Sequence, residues 1–457
     1  MQNKDEALGT QPIGKLMLSL ALPAVAAQFI NMLYNIVDRI YIGNIPGTGA
    51  LALTGVGVTF PIILLVSAFA AFAGMGGAPL ASIQLGAGNR EGAEKILGNC
   101  FSMLLVLSVT LTVIFSIFKT PLLYMFGASD AIIGYAEDYI SIYLAGTIFV
   151  QLALGLNTFI SAQGHATAML SVLIGAVINI VLDPVFIFVF GMGVSGAALA
   201  TILSQAVSAA WVLRFLFSAK SGIRIRRGNM KFEKRVVGKV IGLGIAPFIM
   251  QSTESLVNIT LNAGLQRYGG DLYVGSMTIM QSVMQMLVMP IQGITQGAQP
   301  IMSYNYGAKN YSRVRKTFSL LLKVMLLVTV SGFALAALLP GVLARMFTQD
   351  AELIEIVKKM MPIFFGGIWA FGAQMACQTT FMALGQAKIS LFLALLRKVV
   401  LLVPLALLLP VVMGGNVLGI YIAEPVADVI ASFTTLSLFL IKRKTLLPDG
   451  GAPAKSK

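Results

Sequence analysis

Twelve apolar runs follow one another along the chain, each close to the roughly 20 residues that an α-helix needs to cross a bilayer. They fall at about 16–37, 51–78, 97–118, 132–158, 166–190, 194–217, 240–262, 273–296, 318–340, 353–380, 389–413 and 416–440. In hydrocarbon every backbone polar group must be paired, and a helix does this within its own segment. Composition agrees. Of the 457 residues only 11% are charged, against about 25% in a soluble domain. The 46 glycines suit helices that associate by close backbone approach. The expected fold is an all-α membrane protein of about 12 transmembrane helices. The first fifteen residues are mixed polar and the first apolar run is long, which reads as a spanning helix and not a cleaved signal.

A net charge of +14 raises nucleic acid as a partner, and its distribution removes it. With the N-terminus inside, 26 of the 32 Lys and Arg fall on the cytoplasmic side, nine of them from Arg214 to Lys239. Six lie opposite: Arg39, Lys119, Arg267, Arg345, Lys358 and Lys359. That asymmetry is the positive-inside rule. It puts both termini in the cytoplasm, and the bilayer, not a nucleic acid, is the expected partner. Arg397 and Lys398 sit inside the eleventh run. They either snorkel to the cytoplasmic end or line a wet cavity. Cys100 and Cys377 lie in apolar stretches and suggest neither a disulfide framework nor a metal site.

The chain repeats itself. At a shift of 221, Gly76 meets Gly297, Pro79 meets Pro300, Ser82 meets Ser303 and Gly164 meets Gly385. Gly86-Ala87-Gly88-Asn89 then meets Gly307-Ala308-Lys309-Asn310, both read as turns between helices. At 224, Pro23 meets Pro247; at 223, Val194 and Gly196 meet Val417 and Gly419. An ordered series at nearly one offset signals duplication. Six spans per half is an even number, so both halves enter the membrane in the same direction, as in transporters built from parallel repeats. The expected organisation is two parallel six-helix bundles: a first lobe over 1–217, a basic cytoplasmic linker over 218–239, a second lobe over 240–440 and a cytoplasmic tail over 441–457. Such lobes leave a central cleft able to open to either face.

Ionisable groups inside the spans carry the functional information, because a carboxylate at the bilayer centre costs about 2.5–3.5 kcal/mol on insertion scales. Asn31, Tyr34, Asn35 and Asp38 share one helical face in the first span; either they line the cleft or Asp38 marks the helix end. Asn179 and Asp183, four apart, share a face of the fifth span, and Pro184 disturbs the helix there. Two close, buried carboxyls such as Asp38 and Asp183 meet the physical requirement for proton uptake. With neighbouring carbonyl, amide and hydroxyl oxygens they equally suit sodium.

The second half differs. Its seventh span presents Gln251, Glu254, Ser255, Asn258 and Asn262; its twelfth carries Glu424 and Asp428. Asn179 corresponds to Val400, Asp183 to Leu405 and Asp38 to Asn262, so the carboxylate pair belongs to the first half alone. Either one lobe couples to the ion while the other holds substrate, or the second has its own ion site, or the difference is drift. Met277, Met280, Met284, Met286 and Met289 in the eighth span serve packing or an adaptable apolar pocket. His165, the single histidine, is expected to be solvated in a short loop. No catalytic motif appears, so no enzyme activity and no cofactor are expected.

These residues resemble the multidrug and toxic compound extrusion (MATE) family, within it the bacterial DinF-type and MepA-like branch, over about residues 15–440. The resemblance is carried by Leu22-Pro23, Tyr34-Asn35-Ile36-Val37-Asp38, Gly86-Ala87-Gly88-Asn89, Asn179-Ile180-Val181-Leu182-Asp183-Pro184 and Gly193-Val194-Ser195-Gly196-Ala197-Ala198. It implies a V-shaped cavity between two bundles. It also implies export of organic, mainly cationic amphipathic compounds, by antiport with H+ or Na+, from a bacterial inner membrane. The branch's coupling site maps onto Asp38, Asn179, Asp183 and Thr201. Glu254 resembles an acid of the NorM-like branch, whose tenth-helix partner is missing from Gly372-Ala373-Gln374-Met375-Ala376. Glu254 then suits attraction of cationic substrate, with Asn31, Tyr34, Asn35, Gln251, Asn258, Met280 and Met284 as further substrate candidates. The chain is expected to act as a monomer on small organic cations and drugs. The rival reading is a flippase for a lipid-linked oligosaccharide of the same superfamily, whose pyrophosphate calls for basic groups in the cleft.

Overall fold

The computed structural model describes residues 4–165 and 167–448. Most of the expected tail, 449–457, lies outside the described residues, and so does the side chain of Ser255. Among the described residues there is no strand. Eleven helices are long and apolar enough to cross a membrane, and a bent helix pair supplies the twelfth span.

In the first half these are α1 (Ile13–Gly43), α2 (Gly49–Gly86), α3 (Arg90–Met125), α4 (Ile133–Ala145 and Thr147–Ala162), α5 (Ala168–Val189) and α6 (Gly193–Phe217). In the second they are α7 (Lys234–Tyr268), α8 (Asp271–Gly307), α9 (Tyr311–Leu338), α10 (Ala351–Ala383), α11 (Ala387–Val412) and α12 (Leu418–Leu446). Each expected span overlaps one of them, and five overrun the helix by one or two residues. Other helices outrun the apolar runs: the 38 residues of α2 extend about 57 Å, at about 1.5 Å each, past a hydrocarbon layer of about 30 Å.

The repeat reappears in the backbone. Where α2 ends, Ala87, Gly88 and Asn89 donate their N–H groups to the carbonyls of Ile83, Leu85 and Gln84; where α8 ends, Ala308, Lys309 and Asn310 donate to Tyr304, Tyr306 and Asn305. Both turns then cap the next helix, with Asn89 Oδ1 accepting from Gly92 N at 2.9 Å and Asn310 Oδ1 from Arg313 N at 3.3 Å. Exposed apolar side chains also match: Val106, Val109 and Ile117 on α3, and Leu327, Val330 and Leu338 on α9, as expected of lipid-facing stripes.

Breaks in the helices match as well. The two parts of α4 meet at Gly146 with a bend of 58°, and α10 passes through a 3₁₀ turn at Phe365–Gly367. A Cβ at Gly146 would lie 2.2 Å from Ile202 of α6; one at Gly367 would lie 2.7 Å from the Pro425 backbone of α12. Glycine is thus required at the break in each half by a neighbouring helix. In α5 a π-helical stretch, Val185–Val189, follows Pro184; in α11 one at Leu396–Leu402 precedes Pro404. Such stretches leave backbone groups to re-pair locally and frequently mark functional sites.

The chain forms two compact units. One comprises residues up to Thr10 with Ala26–Gln251, the other Gln11–Val25 with Ser252 onward. Both α1 and α7 are therefore shared between units. Close glycine contacts hold the shared ends: a Cβ at Gly76 of α2 would lie 2.5 Å from the Val240 carbonyl of α7, and one at Gly297 of α8 would lie 2.5 Å from Ala21 N of α1. The basic segment after α6 is strapped onto the first unit. Arg226 pairs with Glu94 at 2.7 Å, the Ser102 hydroxyl donates to the Met230 carbonyl at 2.7 Å, and Gln163 Oε1 accepts from Ser221 Oγ and Ile223 N. His165 corrects the expectation of a solvated ring: it is buried and packs edge-on against Phe215 at 5.1 Å. Its loop is short enough to fold the imidazole onto α6.

Candidate functional site

Two polar clusters lie inside the helical halves, and each is built within one compact unit.

In the first unit, Asp38, Asn179, Asp183 and Thr201 come together from α1, α5 and α6. Asp183 has no exposed surface, Asn179 is 1% exposed, and Asp38 and Thr201 are 9% exposed. The spacing of four on α5 stacks Asn179 beneath Asp183, and Asn179 Nδ2 donates to Asp183 Oδ1 at 3.2 Å and to Thr201 Oγ1 at 3.4 Å. The carboxyl groups of Asp38 and Asp183 lie close enough to influence one another. Asp38 is not a helix end, since α1 continues to Gly43. Oδ1 of Asp38, Oδ1 of Asn179 and Oδ2 of Asp183 are buried and accept no hydrogen bond. Three acceptor oxygens gathered this way match a proton or a hard monovalent cation.

One turn along the same helices lies a cavity of about 40 Å³, room for about three or four waters at about 10–15 Å³ of such volume each. Asn31 and Tyr34 of α1, Asn157 of α4, Gly175 and Ala176 of α5, and Gln205 of α6 are among its lining residues. Tyr34, Ala176 and Ser204 each sit three or four residues from Asp38, Asn179 and Thr201 respectively, so cavity and cluster adjoin. Asn35 is not part of it; it is exposed and its Nδ2 donates to the Asn31 carbonyl at 2.7 Å. Two contributors were missed by sequence reasoning. Asn157 lines the cavity with a buried, unpaired Oδ1, and Tyr139 of α4 shares a side-chain hydrogen bond with Thr201. An amide inside the fourth apolar run was the available signal for the first; nothing in the sequence distinguished Tyr139 from its aromatic neighbours.

In the second unit the charged groups pair with one another. Arg397 Nε donates to Asp428 at 2.6 Å and Nη2 to Glu424 at 2.9 Å. Its guanidinium carbon lies 4.6 Å from the centre of the Phe371 ring. Lys398 pairs with Glu254. Arg397 and Lys398 thus neither snorkel nor stand free. Three carboxylates against two cations leave this network one negative charge in excess, and the Glu254 side chain is half exposed at 52%. Asn258 accepts from Gln281 at 3.0 Å; Gln251 and Met284 are half-buried, and Met280 has no exposed surface. Among the described residues no group of three or more His, Cys, Asp or Glu is placed to hold a metal ion.

Twelve apolar spans in two repeated halves, each with a buried polar cluster, define a polytopic membrane protein. The family model MatE matches residues 23–185 and 247–408, one block in each half, and the chain belongs to the MATE family of multi-pass cell-membrane transporters. It is 24% identical over 441 residues to the multidrug export protein MepA of Staphylococcus haemolyticus, covering 95% of this chain and 96% of that one. It is 26% identical over 437 residues to the FAD transporter of Shewanella oneidensis, with 92% of each covered. A crystal structure of MATE in the bent conformation superimposes with a TM-score of 0.90 at 24% identity, over 98% of each chain.

Proposed function

We propose that this protein exports organic, mainly cationic amphipathic compounds by antiport with protons or sodium, and that Asp38, Asn179, Asp183 and Thr201 form its coupling site. The observation that carries this reading is the buried cluster that brings Asp38 beside Asn179, Asp183 and Thr201 and leaves three of its oxygens unpaired. Two carboxyls close together in a dry interior do not both hold a charge. A bridging proton supplies a missing donor and draws α1 toward α5. Its release leaves like charges close together and drives them apart, and the π-helical stretch after Pro184 lets α5 yield. That is the differential interaction with two conformations that coupling needs. A sodium ion held by the side-chain oxygens of these four residues does the same work with a different ion. Export of drugs follows the relative named MepA, with the termini inside as the Lys and Arg distribution indicates.

An anionic cargo is the second reading, raised by the relative named for FAD. The second unit's basic groups argue against it, because Arg397 and Lys398 are already paired with three carboxylates. Efflux of ethidium from cells, with proton and sodium gradients collapsed separately, tests the proposal. Efflux that stops with one gradient supports it and names the ion. Absence of efflux for every organic cation tried, with transport of FAD instead, overturns it.

A further inference from the structure

The cavity of the first unit has a counterpart in the second. At the shift of 223 that aligns Val194 and Gly196 with Val417 and Gly419, Thr201 meets Glu424 and Gln205 meets Asp428. At 221, Ala176 meets Arg397 and Val150 meets Phe371. In the first unit Ala176 and Gln205 border the cavity and Thr201 belongs to the adjoining cluster. In the second, those positions hold an arginine and two carboxylates in direct contact. The arginine side chain occupies the position where Ala176 borders an open cavity in the first unit.

We propose that Glu424, Asp428 and the ring of Phe371 form a binding site for a planar monovalent organic cation of the guanidinium type, which this protein fills permanently with its own Arg397. The components are those such a ligand requires. Two carboxylates on one face of α12, four residues apart, accept N–H groups in the fork geometry of a guanidinium. An aromatic face lies within the about 6 Å over which a cation is attracted to the ring. The side chains are nearly sealed, at 15% exposure for Arg397, 10% for Glu424 and 2% for Asp428. A tethered cation cannot leave, so Glu424 and Asp428 keep their partner through the cycle. The inference takes from the proposed function only that the first-unit cluster accepts a cation. Its test reads binding and not transport, so either can fail without the other.

Arg397→Ala frees the site. In purified, detergent-solubilised protein this variant should melt at a lower temperature than the parent. Millimolar methylguanidinium should restore more than half of the loss with a saturable dependence, while equal sodium chloride or urea should not. The parent should show no saturable response, and adding Asp428→Asn to the variant should abolish it. Arg397→Lys retains a charge but cannot bridge both carboxylates. Should the alanine variant not be recovered folded, this one must show a smaller saturable shift of the same kind. An absent response in the folded variant, or a response that survives Asp428→Asn, overturns the proposal.

Discussion

On α6, Thr201 and Gln205 face a polar cluster and a cavity of about 40 Å³; on α12, the residues at the same repeat positions, Glu424 and Asp428, grip Arg397 at 2.9 and 2.6 Å. The duplication supplied one scaffold twice, with the same N-capping turns, the same glycine breaks and a π-helical stretch beside a proline. What differs is how buried charge is compensated. The first unit leaves three oxygens without a donor, which suits a partner that comes and goes. The second builds its partner into the chain. The two halves of the repeat thus differ in whether the buried acceptors of their polar cluster are paired within the chain.

Removing the built-in partner should give the largest effect. Arg397→Ala strands two carboxylates with little solvent access, and stability should fall by about 3–5 kcal/mol, read by thermal or denaturant unfolding in detergent. Replacing Arg397, Glu424 and Asp428 together by Met, Gln and Asn should recover most of that loss, because the site is then uncharged. Equal losses in the two variants would break the comparison. The glycine breaks should come next. Gly367→Ala meets the Pro425 backbone at 2.7 Å and Gly146→Ala meets the β-branched Ile202 side chain at 2.2 Å, so each should cost about 1–3 kcal/mol by overpacking. The turns should show the smallest effects. Asn89→Ala and Asn310→Ala should each cost about 1 kcal/mol as lost N-caps. Gly88 and Lys309 both have positive φ, 77° and 57°, so Lys309→Gly should stabilise by about 1 kcal/mol and Gly88→Ala should destabilise by about as much. Paired melting curves decide each case.

The twelve spans were legible because a bilayer imposes long apolar runs, and the duplication because Gly76, Pro79, Gly88 and Asn89 keep their spacing. Periodicity placed Asn179 and Asp183 on one face, and the meeting of Asp38, Asn179, Asp183 and Thr201 followed from the family resemblance. Periodicity does not say which helix lies beside which. Arg397 and its partners at Glu424 and Asp428 are 27 and 31 residues apart, so their pairing was invisible, although the alignment of Thr201 with Glu424 was available in the sequence. The burial of His165, the contact of Tyr139 with Thr201 and the division of α1 and α7 between units depend on packing, which a single sequence does not encode locally.

The central claim, that exchange belongs to the Asp38–Asp183 cluster, is tested most directly in inverted vesicles by proton-driven uptake of ethidium against Asp38→Asn, Asp183→Asn and Glu254→Gln variants of confirmed fold. Loss of at least tenfold in coupled uptake and of its pH dependence is expected for either aspartate variant. Glu254→Gln is expected to weaken ethidium binding while leaving the pH dependence in place. Unchanged, pH-dependent transport by both aspartate variants would contradict the account.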